Sequence, residues 1–277
     1  MMFRTLVLTV VLVVTAAAQS FLGNITSYTN DGNTVVVHAD SSAVRLMLYA
    51  DDIVRVDLLP SALSTLDSSF VVIQSPSKDV PYTVHETDSV VELITGKLLL
   101  RLQKYPLRIS VFDAAGTSLL AEPQNGGYSF ENDTRTLRFT LGSNDHFYGT
   151  GERGTAMDKR RQKFTNYNTQ VGNYLVPLAT MNLNVPVITT PNGYALYIDN
   201  TYRGEFDFGV TDSTQYSYTA EGGELSYYII AAKTIAQQLE KYTWLTGRQP
   251  LPPRWAFGFI QSKNRYENEE VARSIVT

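Results

Sequence analysis

A chain of 277 residues with a formal net charge of -4 and no cysteine has neither the basic footprint that nucleic acid demands nor thiols for disulfides or thiolate metal ligands. Nucleic acid is disfavoured as a partner, and stability must come from a core large enough to do without covalent staples. Length alone fits one large all-β domain or two ordinary ones.

The first 18 residues hold Arg4, an apolar run from Leu6 to Val14 and the small residues Ala16, Ala17 and Ala18. This is the pattern of a secretory signal cleaved after Ala18, and the run is too short to span a bilayer. The mature chain is expected to start at Gln19, to be extracellular and to have no membrane segment. Asn24-Ile25-Thr26 and Asn132-Asp133-Thr134 match the acceptor triplet for N-glycosylation in a eukaryotic secreted protein, a triplet that chance also supplies.

From Thr34 to Phe139 apolar residues alternate with polar ones at period two, as in Val44, Leu46 and Leu48, or Leu98, Leu100 and Leu102 around Arg101. The runs end at turn signals such as Asn30-Asp31-Gly32, Asp113 to Gly116 and Asn125-Gly126-Gly127. That is the signature of half-buried antiparallel strands in a sandwich. Strands are expected to continue at 136–141, 193–198, 205–208 and 225–230. One helix interrupts them: Thr234 caps it, Gln237 completes a capping box, Ile235, Leu239 and Tyr242 form the stripe, and Gly247 closes it.

The stretch from Thr155 to Leu183 breaks this rhythm. It is polar and aromatic, with Asn166, Tyr167 and Asn168 near its middle. A loop of this length inside a compact β domain is more often functional than not, and Tyr and Asn side chains suit stacking on and hydrogen-bonding to a polar ligand.

Other motifs carry less. Gly149-Thr150-Gly151-Glu152-Arg153-Gly154 has the spacing of a dinucleotide fingerprint, but no buried parallel strand precedes it and no helix follows. Glu152 beside Arg153 has two readings, a catalytic carboxylate or, ahead of it, an ion pair that ties down the turn. His38, His85 and His146 are scattered, so no metal or cofactor is expected. No spacing of carboxylates singles out an acid/base pair.

After Pro250, Pro252 and Pro253, a rigid extended linker, Trp255 to Ile260 reads as a buried strand. Asn268 then caps a helix bearing Glu269, Glu270, Val271 and Ile275. A strand, a loop and a helix make one unit of a parallel α/β domain, which normally has many companions.

At this point six pieces carry a resemblance: FYGTGER at 147–153, GYALYIDN at 193–200, FDFG at 206–209, LSYYII at 225–230, YTWLTGR at 242–248 and PPRWAFGFIQSK at 252–263. In them the chain resembles glycoside hydrolase family 31, the α-glucosidase and α-xylosidase group that includes α-glucosyltransferases. The resemblance implies a mainly β fold: a galactose-mutarotase-like β-sandwich over 19–249, then, at 250–277, the linker and first β/α unit of an incomplete (β/α)8 barrel. It implies a retaining mechanism run by two aspartates on later barrel strands, so no catalytic residue is expected in this chain, which alone should be inactive. The substrate implied is an α-linked oligosaccharide or glycoside. The family's sugar-holding Asn-x-Asp segment is matched by Asn166-Tyr167-Asn168, with Asn168 in the aspartate's place. Asn264 falls where many members carry an aromatic pocket residue, with Tyr266 close by. Expected substrate-binding residues are therefore Tyr167, Asn168, Asn264 and Tyr266. The alternative is a non-enzymatic sandwich that binds carbohydrate or protein. Nothing in the sequence sets an oligomeric state.

The leader generates the first prediction. N-terminal sequencing of the secreted product should find Gln19, open or cyclised, whereas a soluble cytosolic product that keeps Met1 would refute secretion.

Overall fold

The computed structural model describes residues 20–40, 42–60, 69–172, 175–261 and 263–276, so the expected leader lies outside it. The chain divides into a unit that ends at Thr246 and a second unit, Gly247–Thr277.

The first third of the larger unit contains β1 (Ser20–Phe21), β2 (Ile25–Asp31), β3 (Thr34–Ala39), β4 (Ser42–Ala50), β5 (Ile53–Leu59), β6 (Tyr82–Glu86) and β7 (Val90–Thr95). Next come β8 (Leu98–Lys104), β9 (Leu107–Asp113), β10 (Ser118–Ala121), β11 (Tyr128–Glu131), β12 (Thr134–Thr140), β13 (Tyr148–Gly151) and β14 (Lys163–Asn166). The last are β15 (Asn184–Thr189), β16 (Tyr194–Asp199), β17 (Gly204–Asp207), β18 (Gln215–Ala220) and β19 (Leu225–Ala231), followed by the helix α1 (Ile235–Thr246). They form three sheets, in the orders β1-β11-β12-β18-β17-β14, β10-β9-β8-β7-β6 and β13-β15-β16-β19-β5-β4-β3-β2.

The period-two pattern has the consequence expected of it. Along β3, Val35, Val37 and Ala39 are buried and the residues between them only partly so. Along β8, Leu98, Leu100 and Leu102 do the same. Inward side chains of all three sheets share one core. Tyr194 and Tyr216 close it with a hydroxyl pair 2.8 Å apart, joining the eight-stranded sheet to the six-stranded one.

At the centre of the eight-stranded sheet the half-buried expectation gives way. β5 is buried at every position and β19 at all but its last. The cause is a second cluster on the sheet's other face, where Tyr49, Ile53, Tyr197, Tyr228 and Ile230 pack with Leu245 of α1. Asp57, with no exposed side-chain surface, lies in this sheet and accepts from Arg45 Nε at 2.8 Å and Arg55 Nε at 2.6 Å. Arg55 also donates to the Tyr228 hydroxyl and to Ser226 Oγ. Burial pulls the Arg55 guanidinium down, but Asp57 and Tyr228 outweigh it and hold it above its ordinary value.

The capping box of α1 forms: Gln237 N donates to Thr234 Oγ1, and Thr234 N to Gln237 Oε1, both at 3.3 Å. Gly247, at φ 94°, takes the left-handed turn that ends the helix. The stripe differs from the expected one. Leu239 is 47% exposed, and the residues fully buried are Gln238 and Leu245. Gln238 Oε1 accepts from Thr190 N at 3.1 Å, while its Nε2 donates to Thr190 O at 2.8 Å and Ala232 O at 3.0 Å. An amide side chain can enter an apolar interface this way because its dipole is matched in both directions.

In the second unit, the expected strand at Trp255–Ile260 is not formed. Arg254–Phe257 is a 3-10 turn, and the chain after it is irregular. An apolar run becomes a strand only beside another strand, and the described residues of this unit offer none. Its backbone is instead paired locally, Ala256 N to Pro253 O and Gly258 N to Trp255 O, and Trp255 and Phe259 are left 77% and 90% exposed. The helix α2 (Glu269–Val276) does form, capped by Asn268, whose Oδ1 accepts from Val271 N at 2.9 Å.

One buried carboxyl makes stability depend on pH. Glu122 follows β10; its Oε2 accepts from Ile109 N at 2.9 Å, and its Oε1 has no partner. Gly127 covers it so closely that a Cβ there would sit 2.1 Å from Glu122 Cγ. Burial pushes the carboxyl up to about 8 from an ordinary 4.5. The folded chain therefore holds a proton that the unfolded chain releases. Stabilisation from Glu122 is complete below about 4.5, declines as pH rises, and is lost above about 8. Urea unfolding should show wild type losing stability relative to Glu122→Gln between pH 5 and pH 8.5. A difference between the two that does not change with pH would contradict this.

Candidate functional site

The stretch from Thr155 to Leu183 is not a single loop. Lys163–Asn166 is β14, the edge of the six-stranded sheet, where Phe164 lies opposite Phe206 of β17 and points into the core. Four residues were too few to register as an alternating run. The chain after β14 crosses from the six-stranded sheet to β15 of the eight-stranded sheet, and its first residues are Tyr167 and Asn168.

These two residues line a cleft of about 530 Å³ together with Phe70, Asn166, Asn184 and Asp199. Tyr167 is 49% exposed, and the Arg203 guanidinium lies 5.9 Å from its ring centre. Asn168 is already half committed. Its Oδ1 accepts from Asn184 N at 2.6 Å and from Asn184 Nδ2 at 3.4 Å, whereas its Nδ2 bonds to no described residue. Asn184 pegs the crossing: its Nδ2 donates to Tyr167 O at 2.8 Å and Met181 O at 2.9 Å.

Two amide oxygens of the cleft lining, Oδ1 of Asn166 and Oδ1 of Asn184, are buried without a hydrogen-bond partner. Both lie beneath the surface of the cleft and cost free energy where they stand, so they are no part of what a ligand meets. Asp199 adds an ionisable acceptor, to which the Tyr197 hydroxyl donates at 3.0 Å. Exposed aromatic faces beside a carboxyl acceptor and one uncommitted N–H suit a polyhydroxylated ligand, whose C–H faces stack and whose hydroxyls both donate and accept. Among the described residues no group of three or more His, Asp or Glu side chains is placed to hold a metal ion.

Asn264 and Tyr266 belong to the second unit. There Asn264 is exposed, and Tyr266 is half-buried with Lys263 Nζ 5.3 Å from its ring centre. Of the four expected binding residues, then, Tyr167 and Asn168 share a cleft, and the other two are neighbours in their own unit.

The expected Glu152–Arg153 ion pair does not form. Glu152 is exposed, and Arg153 turns inward to backbone carbonyls. The turn is held by its glycines instead. Gly149 and Gly151 have φ of 100° and 87°, and a Cβ on Gly151 would lie 2.4 Å from Leu183 O. Sequence reasoning also passed over Asn184, because an asparagine at the head of a strand carries no signal that it will anchor a distant segment.

Comparisons with known proteins bear on this architecture. Residues 43–207 match the family profile described as the glycosyl hydrolase 31 N-terminal galactose mutarotase-like domain. The chain is 35% identical over 259 residues to alpha-glucosidase 2 of Bacillus thermoamyloliquefaciens, covering 92% of this chain and 32% of that protein. It is 27% identical over 271 residues to the isomaltosyltransferase of Sporosarcina globispora, covering 90% of this chain and 24% of that one. Among solved structures, the family 31 dextranase of Flavobacterium johnsoniae complexed with isomaltotriose superposes with a TM-score of 0.85 at 28% identity, over 92% of this chain and 32% of that one. The chain thus spans about a third or less of the length of these relatives. A match over more than half of its residues, on a β-sandwich of the matching kind, makes this chain a member of glycoside hydrolase family 31, of which it carries the N-terminal galactose-mutarotase-like domain.

Proposed function

We propose that this chain is the N-terminal portion of a secreted retaining α-glycosidase that hydrolyses or transfers α-linked glucosyl or xylosyl units. In this reading the sandwich contributes sugar contacts, through Tyr167 and Asn168, and the reacting carboxylates come from barrel strands that follow it in the family. There, one aspartate would attack the anomeric carbon while a second, about 5–5.5 Å away, protonates the leaving oxygen and then activates water or an acceptor sugar. Residues 1–277 by themselves would bind without turnover.

The observation that carries the reading is the exposed, uncommitted Nδ2 of Asn168 beside the exposed ring of Tyr167 and the Asp199 carboxyl group in one cleft. Relatives with glycosidase and glycosyltransferase names, and a neighbour solved with isomaltotriose, agree with a sugar as the occupant. Asn264 and Tyr266 are proposed as further sugar contacts on the strength of their place in the family pattern.

The geometry dictates which substitution tests it. Asn168→Ala would remove the acceptor for Asn184 N along with any sugar contact, so it confuses loop order with binding. Asn168→Asp keeps the acceptor at Oδ1 and exchanges the Nδ2 donor for a charged acceptor, which hydroxyl groups bond more strongly. Titration of the 277-residue chain with isomaltotriose, followed by NMR, should show tighter binding for Asn168→Asp. Asn168→Ala should bind about 5- to 30-fold more weakly than wild type, the equivalent of about 1–2 kcal/mol for one lost hydrogen bond. Equal affinities across the three proteins would remove the cleft as a sugar site and leave the non-enzymatic reading in place.

A further inference from the structure

Arg153 is a cation pointed into the protein, and among the described residues it forms no ion pair. Its Nε donates to Thr150 Oγ1 at 2.9 Å, and its Nη1 to Thr165 O at 3.1 Å and Ala179 O at 2.5 Å. Its guanidinium carbon lies 3.7 Å from the ring centre of Phe164. Phe164 itself packs on Phe206 and Phe208 of the core. Burial pulls the guanidinium down to about 10, which still leaves it charged at neutral pH. Lys159, buried nearby, is also lowered, by burial and then by the charge of Arg153. A buried charge beside another cation is costly, so carboxylate neutralisation cannot be the reason for an arginine here.

The three acceptors explain the placement. Thr150 belongs to β13. Thr165 is in β14, one residue before Asn166. Ala179 is on the returning limb, shortly before Asn184. One planar side chain thus ties both limbs of the 167–183 crossing to the glycine-rich turn. Backbone bonds run alongside it: Gly154 and Leu178 exchange N–H and C=O at 2.9 Å in both directions, and Glu152 N donates to Leu183 O at 2.7 Å. A lysine could satisfy one or two of these acceptors. It could not present donors in a fork while stacking flat on Phe164.

We propose that Arg153 is the positioning residue of the cleft: it touches no ligand, and it sets the path of the segment that presents Tyr167 and Asn168. The structural part of this role stands independently of the proposed sugar site. Its functional consequence rests on that reading.

The test is residue-resolved amide exchange on the 277-residue chain and on Arg153→Met and Arg153→Lys. In Arg153→Met, the amides of Glu152, Val171, Leu178 and Asn184 should exchange at least ten-fold faster. Leu100 and Val56, in strands away from the crossing, should change less than two-fold. Arg153→Lys should recover only part of the protection. Unchanged exchange at the four crossing amides would overturn the proposal. So would acceleration by the same factor at Leu100 and Val56, or failure of both variants to fold, since each makes Arg153 a general prop of the fold. If the crossing loosens in Arg153→Met while the Asn168 substitutions leave isomaltotriose binding unchanged, the positioning role holds and the sugar reading falls.

Discussion

An eight-stranded sheet with apolar side chains on both faces must be covered twice, and this requirement governs the larger unit. One face is met by the other two sheets, across a core in which Tyr194 touches Tyr216 and Phe139 packs edge-on against Tyr227. The other face is met by α1 together with an aromatic and charged layer. That layer includes Asp57 between two arginines, an arrangement that is costly to desolvate and costlier to break, at about 3–5 kcal/mol when one partner is removed. Two guanidiniums on one carboxylate leave a net charge of about +1, which is tolerable because the Arg45 side chain is 30% exposed to water while Asp57 and Arg55 stay buried.

The cleft is a by-product of how the sheets end. β14 closes one edge of the six-stranded sheet, β13 and β15 lie at one edge of the eight-stranded sheet, and the chain between them must cross. A crossing has no ladder of its own, so beside a few backbone bonds to the glycine-rich turn it is held by side chains: Asn168 on Asn184, Asn182 on Val171 N, and Arg153 on two carbonyls. These groups serve the backbone first. What remains of them at the surface, the Nδ2 of Asn168, is available to a ligand.

Much of this was legible beforehand, and most exceptions share a cause. Strands such as β3 and β8 announce themselves because one wet face and one dry face make a period of two. The helix boundaries were equally plain, since Thr234, Gln237 and Gly247 act on their immediate neighbours. Apart from β14, too short to show a period, the main failures turn on partners remote in sequence. Whether Trp255 to Ile260 is a strand depends on strands beside it, and its composition cannot report that. Burial of Gln238 depends on Thr190, 48 residues earlier. The cleft was half legible for the same reason: polarity and aromaticity marked Tyr167 and Asn168, but the commitment of Asn168 Oδ1 to Asn184 could be learned only from the fold.

The bond set of Gln238 also fixes something that an apolar stripe would leave loose. A helix resting on leucines can turn about its axis by some tens of degrees and trade one set of van der Waals contacts for another at little cost, because such contacts have no direction. An amide that meets both the N–H and the C=O of one residue tolerates little rotation before a bond is lost. With Thr190 gripped in both directions, α1 has a single rotational phase on the sheet, and every side chain along its twelve residues inherits its heading from that one amide.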